Sequence, residues 1–112
     1  MGIYTQAGVV YGIYIPDHHV FYEGMEDPYE ETMQQYGVMY VFVGNMMSNY
    51  GTGTVYYDNP KSRLVIFNDA HEDYGVYALA ENEVSRTLGK GMLSLAEDTG
   101  MEPQLYGYSQ VG

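Results

Sequence analysis

The sequence predicts a single α+β domain in which an antiparallel sheet carries two helices on one face. Three observations point there. A chain of 112 residues fits one domain and leaves no room for two cores. Hydrophobic residues make up 46% and aromatics 15%, enough for a core and too much for general disorder. Short runs of β-branched and aromatic residues alternate with two segments that carry helical spacing and caps. No Pro/Gly/Ser-rich linker and no fixed-period repeat divides the chain, so residues 1–112 read as one unit.

The first strand is expected from Val9 to Ile15, where β-branched and aromatic residues suit a pleated surface and Pro16 then stops the run. Ile3 to Thr5 are expected to pair with it as a short N-terminal hairpin extension across Gln6-Ala7-Gly8. Val20 to Tyr22 add a short extended piece after the Asp17-His18-His19 turn. The clearest local signal follows. Asp27 stands at an N-cap position, Pro28 at N1, Glu30 at N3 and Gly37 at C′, which predicts a helix over Pro28 to Tyr36. Its acids face the positive end of the helix dipole, and Tyr29, Met33 and Tyr36 share a face for docking.

Val38 to Gly44 reads as a buried central strand because its apolar run is continuous. Thr54 to Tyr57 and Arg63 to Asn68 read as a hairpin closed by Asp58-Asn59-Pro60-Lys61. The second helix is expected over Ala80 to Thr99, on the spacing of Val84, Leu88, Met92 and Leu95, with Gly89 and Gly91 as weak points and Gly100 at C′. Gln104 to Ser109 forms the last strand after Pro103. The order β-α-β-β-α-β is that of a ferredoxin-like fold.

Charge limits the function. The chain holds 15 Asp plus Glu against 4 Lys plus Arg, a formal charge of −11, which argues against direct binding to nucleic acid. The absence of Cys excludes disulfides, thiolate zinc sites and a Cys nucleophile. With no signal-peptide pattern and no run long enough for a membrane span, the expectation is a cytoplasmic protein that does not engage a membrane. All four basic residues lie beyond residue 60.

Five features of the sequence bear on chemistry. Asp17-His18-His19 and Asp69-Ala70-His71-Glu72 offer metal ligands, but adjacent histidines on an extended segment point apart, and they read as loop residues. The fifteen carboxylates make chance pairs certain without making a catalytic one, and no Gly-x-Ser-x-Gly occurs. The Gly-rich stretch from Gly44 to Gly53 lacks the Lys-Ser/Thr of a phosphate loop and reads as a connection. No cofactor is expected. Glu23, Glu26, Asp27, Glu30 and Glu31, at spacings of three, one, three and one, would share a face if the chain from Glu23 were helical. Fourteen tyrosines exceed what a core needs and point to an exposed aromatic surface.

The leading expectation is a non-catalytic acidic inhibitor that occupies the basic, nucleic-acid-binding surface of a partner protein. It would resemble bacteriophage nucleic-acid mimics in charge and size alone, acting in the host cytoplasm if viral. Its contacts would be Glu23, Glu26, Asp27, Glu30 and Glu31, with Tyr29 and Tyr36 as anchors. The alternative is a small oligomeric enzyme or ligand-binding domain with a Tyr- and carboxylate-lined pocket at a subunit interface. Asp69, His71, Glu72 or His18 would then be its polar groups. Homo-oligomers through the Tyr-rich strands are compatible with either reading.

Overall fold

One long strand organises the chain. β1 spans Thr5–Pro16, and β2, β3, β4 and β5 span Met39–Val43, Gly53–Tyr57, Arg63–Asn68 and Gln104–Val111. The computed structural model describes residues 5–43, 52–68 and 84–111. The N-terminal half of β1 lies between β4, which pairs with Thr5 to Val10, and β5, which pairs with Thr5 to Gly12. Its last four residues pair with β3, and β2 continues the sheet from β3. Every pairing is antiparallel. Helices α1 (Pro28–Tyr36) and α2 (Lys90–Thr99) complete the α+β domain the sequence predicts, and the strand pairing is consistent with the ferredoxin-like order.

Helix α1 begins and ends where its caps predict. Asp27 accepts from the Glu30 amide, and Gly37 adopts the left-handed conformation at φ 66° while its amide bonds to the Met33 carbonyl. Gly100 closes α2 in the same way at φ 70°. The start of α2 differs from expectation. Residues 84–89 are irregular, and the helix begins only at Lys90 (residues 80–83 of the expected helix lie outside the described ones). Hydrogen bonds hold the upstream segment elsewhere. Ser85 bonds through its backbone to Lys61 and Ser62 and through its side chain to Asn59, while the Gly89 amide bonds to Asp58 at 2.8 Å. Gly91 is required by packing, because a Cβ there would collide with the Tyr36 carbonyl oxygen at the end of α1.

Four strand expectations need correction. Gln6-Ala7-Gly8 is not a turn, so the hairpin extension is absent: these residues are extended and paired on both edges, with Gly8 leaving room for the Tyr108 ring. β3 and β4 are not a hairpin. Both run antiparallel to β1, along successive stretches of it, so the Asn59-capped 3-10 turn at Pro60–Ser62 shifts the chain without reversing it. β2 lies at the end of the strand order, and its Phe42 is exposed rather than centrally buried. Val20–Tyr22 is a 3-10 turn, capped by His19 Nδ1 accepting from the Phe21 amide at 3.0 Å, and not an extended piece.

Alternation along β1 divides the core. Ile13 and Ile15 face the helices and pack with Tyr22, Val38, Tyr56, Met92 and Leu95. Met92 and Leu95 are fully buried and tether α2, each contributing about 1.5–3 kcal/mol by transfer from water. Val10 faces the other way, into a cluster with Val41, Val43, Val55, Tyr57 and Tyr108. β2 approaches β5 without pairing with it, so the sheet bends around this second cluster.

Candidate functional site

Charge and aromatic surface meet where the chain enters α1. Glu23, Glu26, Asp27, Glu30 and Glu31 are all exposed. They do not form one helical face. Glu23 closes the 3-10 turn, Gly24 turns the chain at φ 79°, and Glu26 and Asp27 precede the helix, leaving Glu30 and Glu31 alone within it. Pro28 enforces the break, because its ring lacks an N–H and would clash with the carbonyl four residues earlier in a continuous helix. Gly24 and Pro28 were the signals available in the sequence.

Three of the five acids also work locally. Asp27 Oδ1 accepts from the Glu30 amide at 3.5 Å, and Glu31 Oε2 accepts from the Asp27 amide at 3.1 Å, closing the helix start reciprocally. Glu30 Oε1 accepts from Gln34 Nε2 at 3.1 Å along the helix surface. Among the described residues Glu23 and Glu26 make no side-chain hydrogen bond, and they project from the turn into solvent.

The opposite side of α1 is packed. Thr32 is its one fully buried residue, with Tyr29 and Tyr36 flanking it half-buried. The Tyr29 ring contacts Tyr22, Tyr40 and Phe42 at centroid distances of 5.8, 5.7 and 5.2 Å, and its hydroxyl donates to Asp17 Oδ1 at 3.1 Å. Tyr36 packs on Phe21 at 6.0 Å and donates to Asp98 Oδ2 at 2.5 Å, joining α1 to α2. Burial first, then the hydrogen bond to Asp98 and its charge, push the Tyr36 hydroxyl up to about 12. Tyr29 also titrates high, through burial and the neighbouring Asp17 carboxylate. Both tyrosines therefore hold the acidic segment against the sheet.

Phe42 was missed by sequence reasoning. It is 47% exposed, next to Tyr29 and Tyr40, and gives the acidic face an apolar margin. A period-two reading of Val38 to Val43 was the signal that could have found it, since Val41 and Val43 are buried and Phe42 is not. Beneath this margin lies a set of buried hydroxyls. Tyr22 and Tyr56 bond to each other at 2.7 Å, and burial raises the pKa of both. Thr54 is buried beside them with its Oγ unpartnered.

The other candidates separate. His18 is exposed, whereas His19 is half-buried and spends Nδ1 on its cap. Asp69, His71 and Glu72 lie outside the described residues. Among the described residues no group of three or more His, Asp or Glu is placed to hold a metal ion, and no helix is long and apolar enough to cross a membrane. Arg63 lies against the second cluster and donates to the hydroxyls of Tyr108 and Tyr57 at 2.9 and 3.2 Å. No protein-family model matches the chain, and comparison with curated proteins and with solved structures likewise finds no match.

Proposed function

We propose that this chain is a non-catalytic acidic binding protein. Its surface around the start of α1 occupies a positively charged, nucleic-acid-binding surface of a partner protein. The observation that carries the reading is the exposure of all five acids from Glu23 to Glu31, in a stretch of sequence with no Lys or Arg before residue 61. Nothing in that stretch neutralises the charge, so its field reaches a partner. Carboxylates facing solvent raise the rate of encounter with a basic groove and compete with the polyanion that normally fills it. Packing of Tyr29 and Tyr36 supports the reading further, because a held segment loses little entropy on binding.

Glu26 and Glu30 are the residues to reverse. Neither contacts another element, whereas Asp27 and Glu31 cap the helix and would confuse binding with folding. Wild-type protein should capture a nucleic-acid-binding protein from lysate at roughly 0.1 M salt and release it at roughly 0.5 M, as the Debye length falls from about 10 Å toward 4 Å. It should also displace nucleic acid from the purified partner. The Glu26→Lys/Glu30→Lys variant should do neither while remaining folded, its thermal midpoint lowered only by the loss of the Glu30–Gln34 bond and of a favourable charge in the first turn of α1. Equal capture and displacement by the variant would overturn the reading.

A further inference from the structure

The chain holds 15 acids and only 4 Lys plus Arg, yet those four bases gather about one turn. Lys61 lies in the 3-10 turn at Pro60–Ser62, and Arg63 opens β4 directly after it. The Lys61 carbonyl accepts from the Ser85 amide at 2.9 Å and Ser62 Oγ donates to the Ser85 carbonyl at 2.7 Å, which holds Arg86 beside the turn. Asp58 accepts from the Gly89 amide and so brings Lys90 there as well. Lys61, Arg86 and Lys90 are exposed, and among the described residues none of the four bases forms an ion pair. Arg63 differs from the other three. It is half-buried, and its guanidinium donates from Nε to the Tyr108 hydroxyl at 2.9 Å and from Nη1 to the Tyr57 hydroxyl at 3.2 Å. The guanidinium carbon lies 5.4 Å from the Tyr108 ring centre, and both tyrosines are 5% exposed. A guanidinium carries five N–H donors, so three remain, and Nη2 keeps both of its own. Each phenol oxygen accepts from Arg63 and still has its own proton to give, for which the described residues supply no acceptor. The cluster is rich in donors and lacks a negative charge.

We propose that this cluster is a phosphate-binding site, with Arg63, Tyr57 and Tyr108 as its donors and Lys61, Arg86 and Lys90 as the positive field around it. Buried polar groups are hydrogen-bonded, and a cation drawn out of water is paired, so the missing partner is an acceptor that carries negative charge. One anion with several oxygens meets both needs. Guanidinium N–H groups and phenol protons are both available to it, and bonds to a charged acceptor are roughly twice as strong as neutral ones. Phosphate suits the site better than a carboxylate, because a dianion also uses the three cations held about the same turn. Tyr57 and Tyr108 are fixed in the second cluster and hold the guanidinium in place, so the donors are set before a ligand arrives. A free phosphate ion and a phosphate monoester on a larger molecule present the same oxygens. The acids elsewhere on the chain repel either one, so the affinity is weak, on the order of 1 mM. The inference stands independently of the proposed partner, since it uses no residue of the acidic segment.

Titration of the full chain with inorganic phosphate, followed by phosphorus NMR and by the thermal midpoint, tests it. At roughly 20 mM phosphate, well above the dissociation constant expected, the midpoint should rise by about 4 °C or more over sodium chloride of equal ionic strength. Acetate at the same ionic strength should give less than about half that rise. Arg63→Lys keeps the charge but loses the planar fork, and should weaken phosphate binding at least about tenfold. Should that variant fail to fold, Tyr57→Phe and Tyr108→Phe decide the matter. Each keeps its ring, removes one donor, and should weaken binding about fivefold. Phenyl phosphate distinguishes the two sources: tighter binding than inorganic phosphate assigns the site to a monoester on a larger molecule, and weaker binding assigns it to the free ion. No rise over chloride, an equal rise with acetate, or undiminished binding by the Arg63 and tyrosine variants would overturn the proposal.

Discussion

Replacing Thr54 by Val should stabilise the protein, whereas the same replacement at Thr32 should destabilise it. Both residues are fully buried. Thr32 Oγ donates to the Pro28 carbonyl at 2.6 Å within the first turn of α1, so its hydroxyl is satisfied. Thr54 Oγ has no hydrogen-bond partner. The Tyr22 and Tyr29 hydroxyls lie near enough to influence it electrostatically and could still accept a hydrogen bond, but neither meets the Thr54 Oγ in hydrogen-bond geometry. A buried hydroxyl without a partner costs about 1–3 kcal/mol, and a net intramolecular hydrogen bond contributes about 1 kcal/mol. Valine keeps nearly the shape of threonine and removes the oxygen. Thr54→Val should therefore gain about 1 kcal/mol and Thr32→Val lose about 1 kcal/mol, a spread of about 2 kcal/mol. In a domain of this size each kcal/mol moves the thermal midpoint by about 4–8 °C, so the two variants should melt roughly 10 °C apart. Urea unfolding followed by far-UV circular dichroism measures the difference, with unchanged slopes showing that the unfolded state is unaltered. Destabilisation of Thr54→Val by as much as Thr32→Val would show that the Thr54 hydroxyl finds a partner in solution, and would refute the reasoning.

Two further expectations concern α1. Asp27→Ala removes the cap on the Glu30 amide and should lower stability by about 1 kcal/mol, while Asp27→Asn should retain most of it; an unchanged urea midpoint in the alanine variant would mean that the cap contributes nothing. Tyr36 supplies a pH dependence. Its folded pKa, pushed up to about 12, lies above the unfolded value near 10, so its contribution is complete below about pH 10 and is lost as pH rises to 12. Thermal midpoints from pH 9 to 12 should fall more steeply for wild type than for Tyr36→Phe, and parallel curves would remove the Tyr36–Asp98 contact from the account.

Much of the site was legible before the fold was known, wherever its causes are local. The caps of α1 are written in Asp27, Pro28, Glu30 and Gly37, because each acts on backbone within four residues of itself. Exposure of Glu23 and Glu26 follows from the cost of burying an unpaired carboxylate. The inward packing of Tyr29 and Tyr36 follows from their spacing around Thr32. What was misread depended on distant partners. Phe42 reads as buried because its neighbours are apolar, and only the position of β2 at the end of the strand order exposes it. The acids share no helical face because Pro28 bars a helix from running through Asp27 to Glu30, which their spacing alone does not register.

By itself, then, the sequence determined the α+β class, the two helices with their C-terminal glycines, and a strongly acidic surface around α1. These depend on local backbone preference and on the solvation of charge, which act the same way in any fold. The tertiary structure decided where β3 and β4 run, because that depends on which edge of β1 can satisfy their amides. It decided that α2 starts at Lys90, since Lys61, Ser62 and Asp58 compete successfully for the backbone before it. It also gathered Lys61, Arg63, Arg86 and Lys90 about one turn and set Arg63 against Tyr57 and Tyr108. Strand pairing brings those two tyrosines to one guanidinium from 51 positions apart in sequence, a distance at which no local pattern carries information.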